Sequence, residues 1–232
     1  MNRRFVLVAA LPLMLALTAA APRKPRRPVP PPPPPPPAAP LGDVVRIAMV
    51  TEQGTIELEL DHRRAPLTVE NFVRYVDGKR LDGTSFYRAM HLSWGEQPNG
   101  LLQGGLQGIP AKLLPPVAHE PTSLTGLSHK AGTISMARYA PGTATADFSI
   151  LLSDLTGLDA DPKSANPDVQ AGFAAFGHVV SGMDVVRRLW DMPRSPTKGE
   201  GVMKGEMFEL PPKILTVRRV PVPMSPPPPP AP

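Results

Sequence analysis

The sequence predicts a mostly β domain, an antiparallel barrel capped by two helices. Three observations carry this expectation. Short apolar runs with period-two character recur between residues 44 and 220. Two segments with helical spacing lie near the two ends of that region. Proline-rich stretches flank it without entering it.

The elements follow in order. Val44 to Val50 alternates, and Ile56, Leu58 and Leu60 repeat at period two around Glu57 and Glu59, so Gln53-Gly54 marks the turn of a β-hairpin. In Ala65 to Val76, the residues Val69, Phe72, Val73 and Val76 share one helical face; Pro66 suits the first turn and Gly78 the stop. Ile134 to Met136, Phe148 to Leu152 and Phe173 to Val180 read as short buried strands. Gly182 to Trp190 is a second amphipathic helix, and Lys213 to Val220 a last strand. Periodicity leaves residues 79–131 without an assignment, and no internal repeat is evident.

The chain has 232 residues, and 34 are proline. Twelve lie in 22–40 and eight in 221–232, runs that favour extended polyproline II and bury no core. The expected organisation is a signal segment over 1–21, a proline-rich linker over 22–40, one globular domain over 41–220, and a proline-rich tail over 221–232. Asn2-Arg3-Arg4, the apolar run Phe5 to Leu17 and the small residues Thr18 to Ala21 have the order of an export signal, with cleavage near Ala21 expected over a retained anchor. A periplasmic or secreted location follows, without stable membrane insertion after cleavage.

The net charge of +5 belongs to the leader and linker, where Arg3, Arg4, Arg23, Lys24, Arg26 and Arg27 meet no acid before residue 41. Removing those six of 25 leaves 19 basic against 20 acidic residues, a net of −1, which argues against nucleic acid as a partner of the domain. The absence of cysteine excludes disulfides, thiol nucleophiles and thiolate metal sites. Five scattered histidines show no ligand spacing, so neither metal nor cofactor is expected.

Thr84-Ser85-Phe86-Tyr87-Arg88, Gln103-Gly104-Gly105 and Gly132-Thr133-Ile134-Ser135-Met136-Ala137 follow one another in order. They resemble the F-H-R, Q-G-G-D and G-x-[LIV]-[SA]-M-A signatures of cyclophilins. The stretch Gly54 to Leu60 followed by Ala65-Pro66-Leu67-Thr68-Val69-Glu70-Asn71-Phe72 is similar to that family's opening hairpin and helix, and the likeness runs from about Val44 to Trp190. The resemblance implies a closed eight-stranded antiparallel barrel with a helix at each end. It also implies peptidyl-prolyl cis-trans isomerisation of proline-containing polypeptides by a monomer without cofactor. Arg88 stands where the family's catalytic arginine stands, and Gln103 where its orienting glutamine stands. Leu101, Ala137, Phe86, Phe148, Leu158 and Phe173 fall at or beside its substrate groove.

Several positions depart from the family pattern. The arginine-to-glutamine spacing is seven residues longer, at fifteen, with the extra residues within 91–100. Gly100 replaces a pocket phenylalanine, Ser149 a second one, Asp147 a glutamine, and Leu106 the aspartate of Q-G-G-D. Trp94, inside the insertion, is a candidate to fold over the groove and supply the missing ring. Two functions follow from this pattern: an isomerase assisting exported proteins, or a module that binds Pro-containing segments with little or no catalysis. A third reading makes the domain an envelope adaptor with proline tails as spacers.

Overall fold

A computed structural model describes residues 40–107 and 109–222. The expected signal segment, nearly all of the linker, and residues 223–232 of the tail lie outside the described residues. Eight strands are present: β1 Val44–Thr51, β2 Gly54–Asp61, β3 Ser85–His91, β4 Gly100–Gly105, β5 Thr133–Met136, β6 Phe148–Leu151, β7 Ala174–Ser181 and β8 Ile214–Val220. The helices are α1 Pro66–Asp77, α2 Thr122–Thr125, α3 Pro167–Ala171 and α4 Met183–Trp190. All strand pairs are antiparallel, in the order β3-β4-β6-β5-β7-β2-β1-β8.

The expected hairpin is β1–β2, with Thr51 opposite Gly54 and Gly54 at φ 132°. Its alternation puts Val45, Ile47, Met49, Ile56, Leu58 and Leu60 inside. The period-two reading missed β3 and β4 for physical reasons. A bulge between Phe86 and Arg88 breaks the alternation of β3, and β4 is covered on both faces.

A strand order that begins at β3 and ends at β8 leaves two edges to pair. The chain between α4 and β8 pairs them. Phe86 N–H donates to Pro212 O at 3.0 Å, and Ile214 N–H donates to Thr84 O at 2.9 Å. Farther along β3, Ala89 N–H donates to Glu206 O at 2.9 Å, and Phe208 N–H to Tyr87 O at 3.0 Å. The sheet thereby curls into the expected eight-stranded barrel, its seam stitched by residues 206–214.

The two predicted helices cap it. The face of α1 buries Val69, Phe72, Val73 and Val76, and the Phe72 ring meets Phe148 edge-on at 5.6 Å. From α4, Val185, Val186, Leu189 and Trp190 are buried, and Trp190 Nε1 donates to Met90 O at 2.9 Å. Ala65 gives α1 no side-chain cap. Glu120, on the segment before α2, takes that role: it accepts from Leu67 N–H at 3.1 Å, Thr68 N–H at 2.7 Å and Thr68 Oγ1 at 2.6 Å. A carboxylate at a helix N-terminus satisfies orphan amides and suits the helix dipole. Glu120 is 4 % exposed, so Glu120→Ala leaves the two Thr68 donors buried and unpaired. The expected loss is about 2–3 kcal/mol of unfolding free energy, read from urea melts.

Candidate active site

Antiparallel register places the site residues in a row. Arg88 on β3 lies opposite Gln103 on β4, Gln103 opposite Ser149 on β6, and Ser149 opposite Ser135 on β5. A neighbouring row, Met90–Leu101–Leu151, lies on the same outer face, while Leu102, Ile150 and Ile134 point into the barrel. Leu101, Leu151 and Leu155, with Met90, Leu92 and Leu158, form a small apolar cluster separate from the main core. The outer face therefore presents a polar row beside an apolar patch.

Arg88 is held from two sides. Its Nη1 donates to Gln103 Oε1 at 2.9 Å and its Nε to Glu206 Oε2 at 2.8 Å, while Nη2 lies 2.7 Å from the same carboxylate oxygen as an ion pair. A guanidinium has five N–H groups, so at least one on each terminal nitrogen remains without a hydrogen-bond partner among the described residues.

Two adjoining cavities share Arg88, Gln103, Ala137 and Arg138. The smaller, about 250 Å³, is walled by Met90, Leu101, Leu158 and Phe173, with Ser135 and Ser149 between them. The larger, about 490 Å³, is lined by Tyr87, Tyr139, Thr145, Asp147, Met203 and Met207. The Arg138 guanidinium lies 4.6 Å from the centre of the Phe173 ring and donates to Gly172 O, which fixes this wall. A hollow of about 550 Å³, between Pro40–Arg46 and Arg218–Val222, contains none of these residues.

Beneath the smaller cavity lies a buried polar chain. Ser135 Oγ is 2.8 Å from His129 Nε2, and His129 Nδ1 is 2.5 Å from Asp159 Oδ1. Ser128 Oγ also donates to Asp159. This network ties the turn that carries Leu158 to β5. Burial pushes His129 below its ordinary value, against the upward pull of Asp159, so the imidazole is held neutral. Under the larger cavity, burial raises the Tyr87 phenol far above its usual range, and the Asp147 carboxylate adds to the rise. Asp147 is itself raised by burial, although Gln107 N–H donates to it at 2.8 Å. Close packing explains the Gln-Gly-Gly run: a Cβ at Gly105 (φ 134°) would lie 2.3 Å from Asp147 Oδ1, and one at Gly104 2.8 Å from the Phe86 ring.

Of the residues expected at the groove, Arg88, Gln103, Leu101, Ala137, Leu158 and Phe173 converge on one cavity. Three expectations are corrected. Phe86 and Phe148 are fully buried inside the barrel, packed edge-on at 5.9 Å, where no peptide reaches them. The bulge in β3 and the inward phase of β6 turn them to the core. Trp94 is 65 % exposed on a loop with its own shallow hollow beside Leu152 and Ser153, and it does not cover the groove. Sequence reasoning missed Met90, which period two from Arg88 would have found. It also missed Glu206, 118 residues from Arg88 in a stretch with no pattern.

Comparison with known proteins identifies the family and the fold. The family described as cyclophilin type peptidyl-prolyl cis-trans isomerase/CLD matches residues 46–208. A peptidyl-prolyl cis-trans isomerase of Acinetobacter baylyi is 34 % identical over 178 residues, covering 74 % of this chain and 84 % of that protein. Peptidyl-prolyl cis-trans isomerase A of Dickeya dadantii is 36 % identical over 147 residues, covering 62 % and 70 %. In fold, a Cryptosporidium parvum cyclophilin type peptidyl-prolyl cis-trans isomerase superposes with a TM-score of 0.56 at 18 % identity, covering 78 % of this chain and 99 % of that one.

Phe173, which lines the cavity, and Trp94, which does not, predict different outcomes. Phe173→Ala removes a cavity wall and should weaken binding of a proline-containing peptide by about tenfold, while Trp94→Ala should leave it within about twofold, both read by NMR titration.

Proposed function

The chain belongs to the cyclophilin-type peptidyl-prolyl cis-trans isomerases, and from that premise we propose that Arg88 is its catalytic residue. The activity is isomerisation of X-Pro peptide bonds. Rotation about such a bond must overcome a barrier of about 18–20 kcal/mol, because resonance gives C–N partial double-bond character. At the twisted midpoint that resonance is lost, and the prolyl nitrogen gains a lone pair able to accept a hydrogen bond. A donor aimed at that nitrogen binds the twisted amide better than either planar form, and this difference is catalysis.

The observation that supports Arg88 is its position. Its guanidinium borders both cavities, with at least one N–H on each terminal nitrogen left without a hydrogen-bond partner among the described residues. Proline would enter the smaller cavity against Phe173, Leu101 and Leu158, and the preceding residues would extend past Ala137 toward the larger one. Gln103 would orient the arginine through Oε1 and use its amide toward peptide carbonyls. A second reading, peptide binding with slow turnover, is favoured by one observation: Ser149 stands where a ring would close the proline pocket.

Arg88→Ala tests the assignment. The rate enhancement over the uncatalysed peptide, measured by protease-free NMR exchange, should fall on the order of 10²–10³-fold, with a much smaller change in peptide affinity. Wild-type turnover in that variant would refute the role of Arg88.

We further propose that the protein acts on polypeptides outside the cytoplasm. The support is the positive start, apolar run and small-residue site within residues 1–21. A fusion of residues 1–40 to a reporter that matures only after export should be active, and deletion of 5–17 should abolish the signal.

A further inference from the structure

The geometry points to Glu206 as a positioning residue for Arg88, one that fixes the orientation of the guanidinium the twisted amide meets. This inference rests on the assignment of Arg88 above. One carboxylate oxygen accepts from Nε at 2.8 Å and is ion-paired with Nη2 at 2.7 Å. The two side chains are 15 % and 19 % exposed, so water screens the pair only partly. Gln103 alone would hold Nη1 and leave the plane free to turn about that contact. Glu206 adds two contacts on another side, and the plane is fixed.

The backbone around Glu206 is fixed as well. Its carbonyl accepts from Ala89 N–H at 2.9 Å, the next residue Met207 bridges Arg88 itself, and Phe208 N–H donates to Tyr87 O at 3.0 Å. Glu206 therefore sits on the strand edge beside the arginine it contacts, in a segment whose pairing the barrel already requires. Gly205, at φ 84°, makes the turn that delivers it.

The chemistry favours orientation over bare charge. Isomerisation neither forms nor breaks a bond, and the amide stays neutral throughout. Neutralising Arg88 with a carboxylate thus gives up little transition-state attraction, whereas an N–H that points away from the prolyl nitrogen contributes nothing. Glu206 and Gln103 engage all three nitrogens from the protein side and leave at least one N–H on each terminal nitrogen for the peptide.

The test uses the full chain with Glu206→Ala, Glu206→Gln, Arg88→Ala and the double variant Arg88→Ala/Glu206→Ala, measuring kcat and KM separately by NMR exchange and folding by thermal melt. Glu206→Ala should lower kcat roughly tenfold to a hundredfold while KM stays within about twofold. Glu206→Gln, which keeps a carbonyl oxygen at that place, should recover a substantial part of the loss. The double variant should be no slower than Arg88→Ala alone, because the two residues act as one unit. If Glu206→Ala does not fold, Glu206→Gln decides: an Arg88 Nε–H resonance shifted from wild type, the clamp released, in a variant of unchanged kcat would overturn the inference. Wild-type or raised kcat in Glu206→Ala, with Arg88→Ala inactive, would also overturn it, the raised rate marking Glu206 as a restraint. Arg88→Ala with wild-type turnover would instead refute the reading on which the inference rests.

Discussion

The constraint on which the rest of the structure depends is the seam between β3 and β8. A curled sheet of eight strands has two edges, and each carries a row of amides and carbonyls that must be paired. Here β8 alone does not reach along β3; the segment 206–214 does, from Glu206 at Ala89 to Ile214 at Thr84. That closure protects the interior built by Ile47, Leu58, Phe72, Phe148 and Phe176. It also makes β3 a doubly bonded strand at the position of Arg88. Barrel integrity and arginine placement are therefore one structural requirement.

From that strand the site follows by register. Antiparallel pairing with period two sends Arg88, Gln103, Ser149 and Ser135 to the outer face in one line, and Met90, Leu101 and Leu151 to the next line. No loop has to fold over to create this surface. Loops finish it: the turn before Asp159 brings Leu158, anchored through His129 and Ser135, and the residues after Gly199 bring Met203 and Met207.

Much of this was legible in the sequence, and the limits have physical causes. The β1–β2 hairpin, α1, α4 and the strands β5 to β8 announce themselves through periodicity, because each has one wet and one dry side or a short fully apolar run. β3 and β4 are hidden by a bulge and by burial on both faces, and the sequence reading assigns no strand there, although the motifs single out Arg88 and Gln103 within them. At the site, Arg88, Gln103, Leu101, Ala137, Leu158 and Phe173 came from motif positions. The resemblance failed where it gave an aromatic a role without its direction. Phe86 and Phe148 match the pattern and point inward, and Trp94 lies in an insertion for which no template gives a position. Glu206 was out of reach, since a contact spanning 118 residues leaves no periodic trace.

The lost aromatics bear differently on binding and on rate. A ring at position 149 would grip proline about equally in its planar and twisted forms, so it would contribute uniform binding, which sets KM. On the proposed assignment the Arg88 N–H prefers the twisted form, and only such a preference raises kcat. Replacing the ring with Ser149 while retaining Arg88, Gln103 and the Glu206 clamp therefore removes affinity from the ground state and leaves the differential term in place. Phe173, steadied by Arg138, supplies the aromatic wall of a cavity of about 250 Å³ that Met90, Leu101 and Leu158 also line, with Ser135 and Ser149 between them. Such a site suits an enzyme that must release its polypeptide quickly, and it separates two properties, tight holding and rapid rotation, that a fully aromatic pocket would combine.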